Sequence, residues 1–237
     1  MKRILLISVF VLFYSKAAFG QWLLNFGSAS TLQPGQVAFI SGTGGQLTFI
    51  QSPASTNFTP FLAHAGIRVG LFNGVDIGYR LCTVALPYSS AGPSLGAATD
   101  LKIRLTPAAA RWQFGVIAGG GLAYVTVLSK ARTAWSPGGA LVLTTNLSAS
   151  TSITLNARYS ETYIVTAAGG GRQNYVQAIG GSVGLTHNMS EVLAISPELG
   201  VFDLRGKIAD NATNGLGIQV GAILKVNLNK ALKKSKE

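Results

Sequence analysis

The sequence predicts an all-β chain folded as a transmembrane, antiparallel, up-and-down β-barrel of about ten strands, within a range of about 8–12. Three observations carry this reading: low charge content, a period-two alternation of apolar and polar residues from end to end, and connections that alternate between short and long. Of 237 residues only 11% are charged, 48% are hydrophobic and 29 are glycine. A soluble domain carries about 25% charged residues, so an ordinary cytosolic surface is excluded. Disorder is excluded as well, because it needs low hydrophobicity and high net charge. The single cysteine, Cys82, rules out a disulfide framework and multi-cysteine metal centres. Two histidines, His64 and His187, leave little material for metal ligation, so no metal site and no cofactor are expected.

Residues 1–20 read as a cleaved secretory signal peptide. Lys2 and Arg3 open it, Ile4 to Phe13 is an apolar run broken only by Ser8, and Ala18-Phe19-Gly20 supplies small residues for the cut. The mature chain is expected to begin at Gln21, with 16 basic against 8 acidic residues and a net charge of +8. Residues 21–34 then form a short N-terminal segment, 35–228 the barrel, and 229–237 a basic C-terminal tail. After residue 20 no run of about 18 apolar residues occurs, so no transmembrane helix is expected.

The strands follow from parity, since alternate residues of a strand face opposite sides. In Val75–Ala85 the odd positions Val75, Ile77, Tyr79 and Leu81 oppose Asp76, Gly78, Arg80 and Cys82. In Leu95–Leu105 the odd positions Leu95, Leu101, Ile103 and Leu105 oppose Asp100, Lys102 and Arg104. Arg111–Val127 sets Trp112, Phe114, Val116 and Tyr124 against Gln113, Gly115, Gly119 and Gly121. Ile153–Val165 sets Leu155, Ala157 and Tyr159 against Thr154, Asn156 and Arg158, and Leu216–Leu228 sets Ile218, Val220 and Leu224 against Gln219, Gly221 and Lys225. Weaker alternation marks Gln36–Ser41, Leu62–Leu71, Ala140–Asn146, Tyr175–Thr186 and Val192–Phe202. The polar face is mostly Gly, Ser, Thr and Asn, which suits a crowded lumen; a soluble secreted β-sandwich would turn Lys, Glu and Asp to water.

Short turns are expected at Phe72-Asn73-Gly74, Thr106–Ala110, Leu147–Thr151 and His187–Glu191, with Asn73-Gly74 a tight-hairpin signal. Longer, outward connections are expected at Thr43–Phe61, Pro87–Ser94, Ser129–Pro137, Ala167–Asn174 and Arg205–Gly215. Across Pro87–Ser94 the third and fourth strands pair antiparallel. A partner sum of 180 would set Asp76 opposite Arg104 and Arg80 opposite Asp100, with Gly78 facing Lys102. That register matches opposite charges, and each such pair contributes about 0.2–1 kcal/mol.

On this architecture, over roughly residues 35–228, the chain resembles the bacterial outer-membrane β-barrel superfamily. The hairpin sequences Gly74-Val-Asp-Ile-Gly-Tyr-Arg80 and Asp100-Leu-Lys-Ile-Arg-Leu105 are loosely similar to those of outer-membrane transporters. The resemblance implies a Gram-negative origin, Sec export and an outer-membrane location. It also implies contact with outer-membrane lipid and a narrow pore or transporter for small solutes. A non-conducting structural or adhesin-like barrel is the alternative; an outer-membrane hydrolase or a soluble secreted β-sandwich comes further behind. No catalytic residues are assigned, because a hydrolase needs a nucleophile with its base or paired carboxylates about a water, and no such motif is present. His64 and Cys82 read as small or buried inward residues and His187 as a turn residue. The glycine clusters lack the strand–helix setting and following Lys-Ser or Lys-Thr of a phosphate loop. The basic tail lacks interleaved aromatics, so no nucleic-acid partner is expected, and the oligomeric state is left open. The charged residues expected to line the lumen are Arg68, Asp76, Arg80, Asp100, Lys102, Arg104, Arg158, Glu198 and Lys225.

Overall fold

The computed structural model describes residues 27–52, 56–58, 61–85, 94–127, 130–165, 175–208 and 211–234. The expected signal peptide and mature start at Gln21 lie outside the described residues, as do the expected connections at 87–93 and 167–174. The strands run β1 (Val37–Ser52), β2 (Thr56–Phe58), β3 (Phe61–Phe72), β4 (Val75–Ala85), β5 (Ser94–Arg104) and β6 (Trp112–Val127). They continue as β7 (Lys130–Asn146), β8 (Thr151–Val165), β9 (Tyr175–Asn188), β10 (Leu193–Ile208) and β11 (Asn211–Asn227). Each pairs antiparallel with its neighbour, and β1 pairs with β11 from Ala38↔Asn227 to Ser52↔Asn214. The sheet therefore closes on itself as a ten-strand up-and-down barrel, with the three-residue β2 added to β1 at Thr48↔Phe58. Closure removes the unpaired strand edges that an open sheet would expose.

Parity sorts the two faces as the alternation requires. Leu81, Leu95, Tyr124, Leu141, Leu155, Ile179, Val201 and Val220 point outward and are exposed, whereas Arg80, Asp100, Thr144, Asn156 and Gln219 point inward and are buried. Exposed aromatics bracket the outer band: Trp112 opens β6 and Tyr124 lies twelve residues on. At about 3.4 Å per residue and a tilt of about 40°, that is a height of roughly 31 Å, close to an apolar membrane band flanked by aromatic girdles. Among the described residues no helix is long and apolar enough to cross a membrane.

The short turns lie together at one end, with the start of β1 and the end of β11. In the first of them, Gly74 adopts φ +79° beside Asn73, and Leu71 is bulged out between Gly70↔Asp76 and Phe72↔Val75. The opposite end departs from expectation. The segments expected as loops at Thr43–Phe61, Ser129–Pro137 and Arg205–Gly215 are mostly strand: β1 runs on to Ser52, β7 begins at Lys130, and β10 reaches Ile208 before β11 begins at Asn211. Their Gly-, Ser- and Thr-rich runs are the inward and outward faces of tall hairpins. Gln46 bonds Thr48 at 3.0 Å, and Ser136 and Thr213 are buried. Pro137 and Pro197 are accommodated where the ladder to one neighbour is interrupted, Ser136–Pro137 toward β8 and Ser196–Pro197 toward β9.

The barrel ends at Asn227, and the tail expected to be a solvated basic segment begins as a helix, α1 (Leu228–Lys234). Asn227 Oδ1 accepts from Lys230 N at 3.2 Å, capping the first turn. Asn229 Oδ1 accepts from Val37 N at 2.6 Å, fastening α1 to the first strand.

Candidate functional site: the lumen

The inner face of the turn end is built on three neighbouring strands. β3 supplies Arg68, β4 supplies Asp76, Gly78 and Arg80, and β5 supplies Asp100 and Lys102. The Arg68 guanidinium donates to both Asp76 and Asp100, and Arg80 donates to Asp100; all four side chains are buried. The β4–β5 register corrects the expected one by two residues. Asp76 faces Lys102, Gly78 faces Asp100 and Arg80 faces Ala98, a partner sum of 178 and not 180. The reason is the third strand. Arg68, Gly78 and Asp100 lie in one row across the sheet. A Cβ at Gly78 would lie 2.6 Å from Arg68 Nη2 and 3.0 Å from Asp100 Oδ2, so the missing side chain is the space through which arginine reaches aspartate. Arg104, expected opposite Asp76, is instead half-buried at the turn, with Gly115 as its partner on β6. Among the described residues it makes no ion pair.

Gly119 continues the row on β6 opposite Asp100, where a Cβ would come within 2.8 Å of the aspartate Cβ. Higher in the bore, Arg158 on β8 reaches across the small residues of β9 to Glu198 on β10 at 2.7 Å. Its Nη2 lies 3.3 Å from Ser182 Oγ, and its guanidinium stands 5.0 Å from the centre of the Phe202 ring. Both clusters use one construction: a guanidinium passes over a small residue of the middle strand to reach a carboxylate on the strand beyond. Lys225, the last of the expected lumen charges, enters from β11.

Sequence reasoning missed one component. Residues 27–36 do not trail away from the barrel; they cross its mouth. Ala29 is wholly buried against Ile117, Ala140 and Val142 on the far wall, and its N–H donates to Thr144 Oγ1 at 2.8 Å. Lys102 Nζ donates to Ser28 O at 2.8 Å, and Leu32 N–H donates to Asp76 Oδ2 at 3.1 Å. The segment then turns at Gln33-Pro34-Gly35-Gln36, with a 3.0 Å bond from Gln36 N to Gln33 O and Gly35 at φ +78°, a type II turn with Pro and Gly in their favoured places. The Pro-Gly pair was the legible signal. The burial of Ala29 and Leu32 has no periodicity to announce it.

Between this segment and the lumen wall lies a cavity of about 270 Å³, bordered by Ser28, Arg68, Arg80, Lys102 and Lys225. His64 and Cys82 also face inward, as cross-strand partners on β3 and β4, and His64 lies against Gly42 of β1. Among the described residues neither His64 ring nitrogen has a hydrogen-bond partner, and no cluster of metal-ligating side chains occurs. His187 is exposed at the end of β9, with Nδ1 2.9 Å from Thr151 Oγ1.

No protein-family model and no curated protein sequence matches the chain. Among solved structures, an outer membrane channel from Pseudomonas putida F1 is similar at 12% identity and a TM-score of 0.53, covering 86% of this chain and 100% of that one. The outer membrane protease OmpT from Escherichia coli aligns at 9% identity and a TM-score of 0.47, over 84% of this chain and 100% of that one. The NanC porin aligns at 10% identity and a TM-score of 0.40, over 78% of this chain and 98% of that one. At such identities the likeness to the channel is one of fold.

Proposed function

We propose that this chain is an integral outer-membrane barrel that acts as a narrow pore or transporter for small solutes. The observation that carries the reading is the contrast between the two faces of a closed sheet. The outer face is an apolar belt far larger than the few hundred Å² a soluble monomer exposes, while the inner face holds arginine, lysine, aspartate and hydroxyl groups. Such an outer face needs lipid as its solvent, and a polar lumen is the pattern of transmembrane barrels. The fold shared with the Pseudomonas putida channel supports the same reading. A ten-strand bore lies between eight-strand barrels filled by side chains and sixteen-strand porins with open channels. A second reading, a non-conducting structural barrel, is favoured by one observation: the 27–36 segment and the Arg68–Asp76–Asp100–Arg80 cluster occupy the turn end of the bore.

Fractionation should find the protein in the outer membrane, migrating on gels at a position that changes on boiling. Reconstitution in planar bilayers then separates the two readings. A pore gives unitary conductance steps with anion preference, because the expected lumen residues count six basic (Arg68, Arg80, Lys102, Arg104, Arg158, Lys225) against three acidic (Asp76, Asp100, Glu198). A silent barrel supports the structural reading, and recovery in the soluble periplasm refutes both.

A further inference from the structure

The charges around the turn-end cavity do not balance. Arg68, Arg80, Lys102 and Lys225 border it. The carboxylates of the same cluster are Asp76 and Asp100, and both are engaged: Asp100 by the two guanidiniums, Asp76 by Arg68 and by Leu32 N–H. Among the described residues Lys102 has the neutral Ser28 carbonyl oxygen, 2.8 Å away, as its hydrogen-bond acceptor. Among the described residues the Lys225 ammonium has no hydrogen-bond or ion-pair partner. The two lysines stand on β5 and β11, four strand steps apart around a ten-strand circumference, so they enter the bore from nearly opposite walls. Ser30, Thr186 and Ser196 add hydroxyls to the same lining.

Charge enclosed in protein without a counter-charge is unfavourable, and an anion placed between two ammonium groups offsets it through short, charge-assisted hydrogen bonds. We propose that this cavity is a binding site for a small oxyanion, phosphate, sulfate or a short carboxylate, held between Lys102 and Lys225. Size agrees with the charge. About 270 Å³ is several times the roughly 30 Å³ share of a water molecule, which admits such an anion with part of its hydration shell. It falls below the range of about 300–1,000 Å³ of pockets for drug-sized ligands. The site goes beyond the pore reading and does not need it, since a closed barrel would bind the ion as well as an open one.

The test uses the full mature chain refolded in lipopolysaccharide-free, non-ionic detergent, so that lipid phosphate cannot supply the ligand. Equilibrium dialysis against labelled inorganic phosphate, with ionic strength held constant by chloride, should show saturable uptake of one ion per barrel, and unlabelled sulfate should compete. Lys225→Gln should weaken uptake by about tenfold or more, the weight of one charge-assisted hydrogen bond. Lys102→Gln, an independent removal from the opposite wall, should act in the same direction. Lys230→Gln, on the exposed helix α1, should bind as the parent does. In phosphate-free buffer Lys225→Gln should melt no lower than the parent, because it removes a buried charge that has no ion-pair partner among the described residues; a structural lysine would do the opposite. Absent or non-saturable uptake by the folded parent overturns the proposal, as does uptake unchanged in both variants or lost equally in Lys230→Gln. Uptake that appears only after lipopolysaccharide is added overturns the free-anion assignment.

Discussion

Asp100→Asn tests the construction of the lumen most directly. Asp100 is fully buried and accepts from both Arg68 and Arg80. Asparagine keeps its shape and one carbonyl oxygen but removes the negative charge, leaving Arg68 with Asp76 as its remaining carboxylate. Removing one member of a buried ion pair costs about 3–5 kcal/mol, because the other charge stays desolvated. For a chain of 150–250 residues, 1 kcal/mol corresponds to about 2–4 °C, so the transition should fall by roughly 6–20 °C. The assay is the temperature at which the purified barrel in detergent shifts from its folded to its unfolded position on an unheated gel. Asp203→Asn is the control: it breaks an exposed pair with Arg205 on the same strand, worth about 1 kcal/mol or less. Adding Arg80→Gln to Asp100→Asn should recover part of the loss, since contacting charges show coupling of about 0.5–3 kcal/mol. Equal shifts for Asp100→Asn and Asp203→Asn, or strict additivity in the double variant, would refute the view that Asp100 compensates buried positive charge.

In a Cys82→Ser background, Tyr79→Cys with Thr99→Cys should oxidise to a disulfide, since these residues are directly opposed at a partner sum of 178, while Tyr79→Cys with Leu101→Cys should not. The reverse result restores the register of 180. If the barrel conducts, a refolded chain beginning at Gln36 should show larger unitary conductance than the full mature chain, because residues 27–35 no longer cross the mouth; unchanged conductance would mean that the ion path bypasses the segment. Protease added to intact cells should leave Thr43–Ile50 and Thr133–Pro137 uncut, since the first pairs without a break with β11 and the second with β6, and cleavage within either would show that the hairpins are shorter than described.

The faces of the barrel were legible because parity is a local property. Nothing beyond Val75–Ala85 is needed to see that Asp76 and Arg80 share a side, or beyond Ile153–Val165 to place Arg158 with Asn156. The ends of the strands were not legible, because hydrophobicity stops reporting them where both the lumen and the surroundings become polar. Gln46, Thr48, Ser136 and Thr213 are composed like loop residues, yet their backbones belong to ladders. The N-terminal segment was illegible for another reason: Ala29 is buried by a wall more than eighty residues away in sequence, and no pattern within Gly27–Leu32 encodes that wall.

The register of β4 against β5 is decided by a third strand. Matching β4 to β5 alone favours a partner sum of 180, which satisfies Asp76 with Arg104 and Arg80 with Asp100. The Asn73-Gly74 turn, however, together with the one-residue bulge at Leu71, fixes β3 against β4 and sets Arg68 opposite Gly78. With a sum of 180, Lys102 would then take the next place in that row, and two cations would meet across a residue with no side chain to separate them. With 178 the same place holds Asp100, and the row reads cation, gap, anion. Where a glycine separates two charged positions on the inner face of a small barrel, the pair that decides the register is the one that meets across it. Counting nearest-strand pairs alone omits that pair, which here outweighs the two it counts.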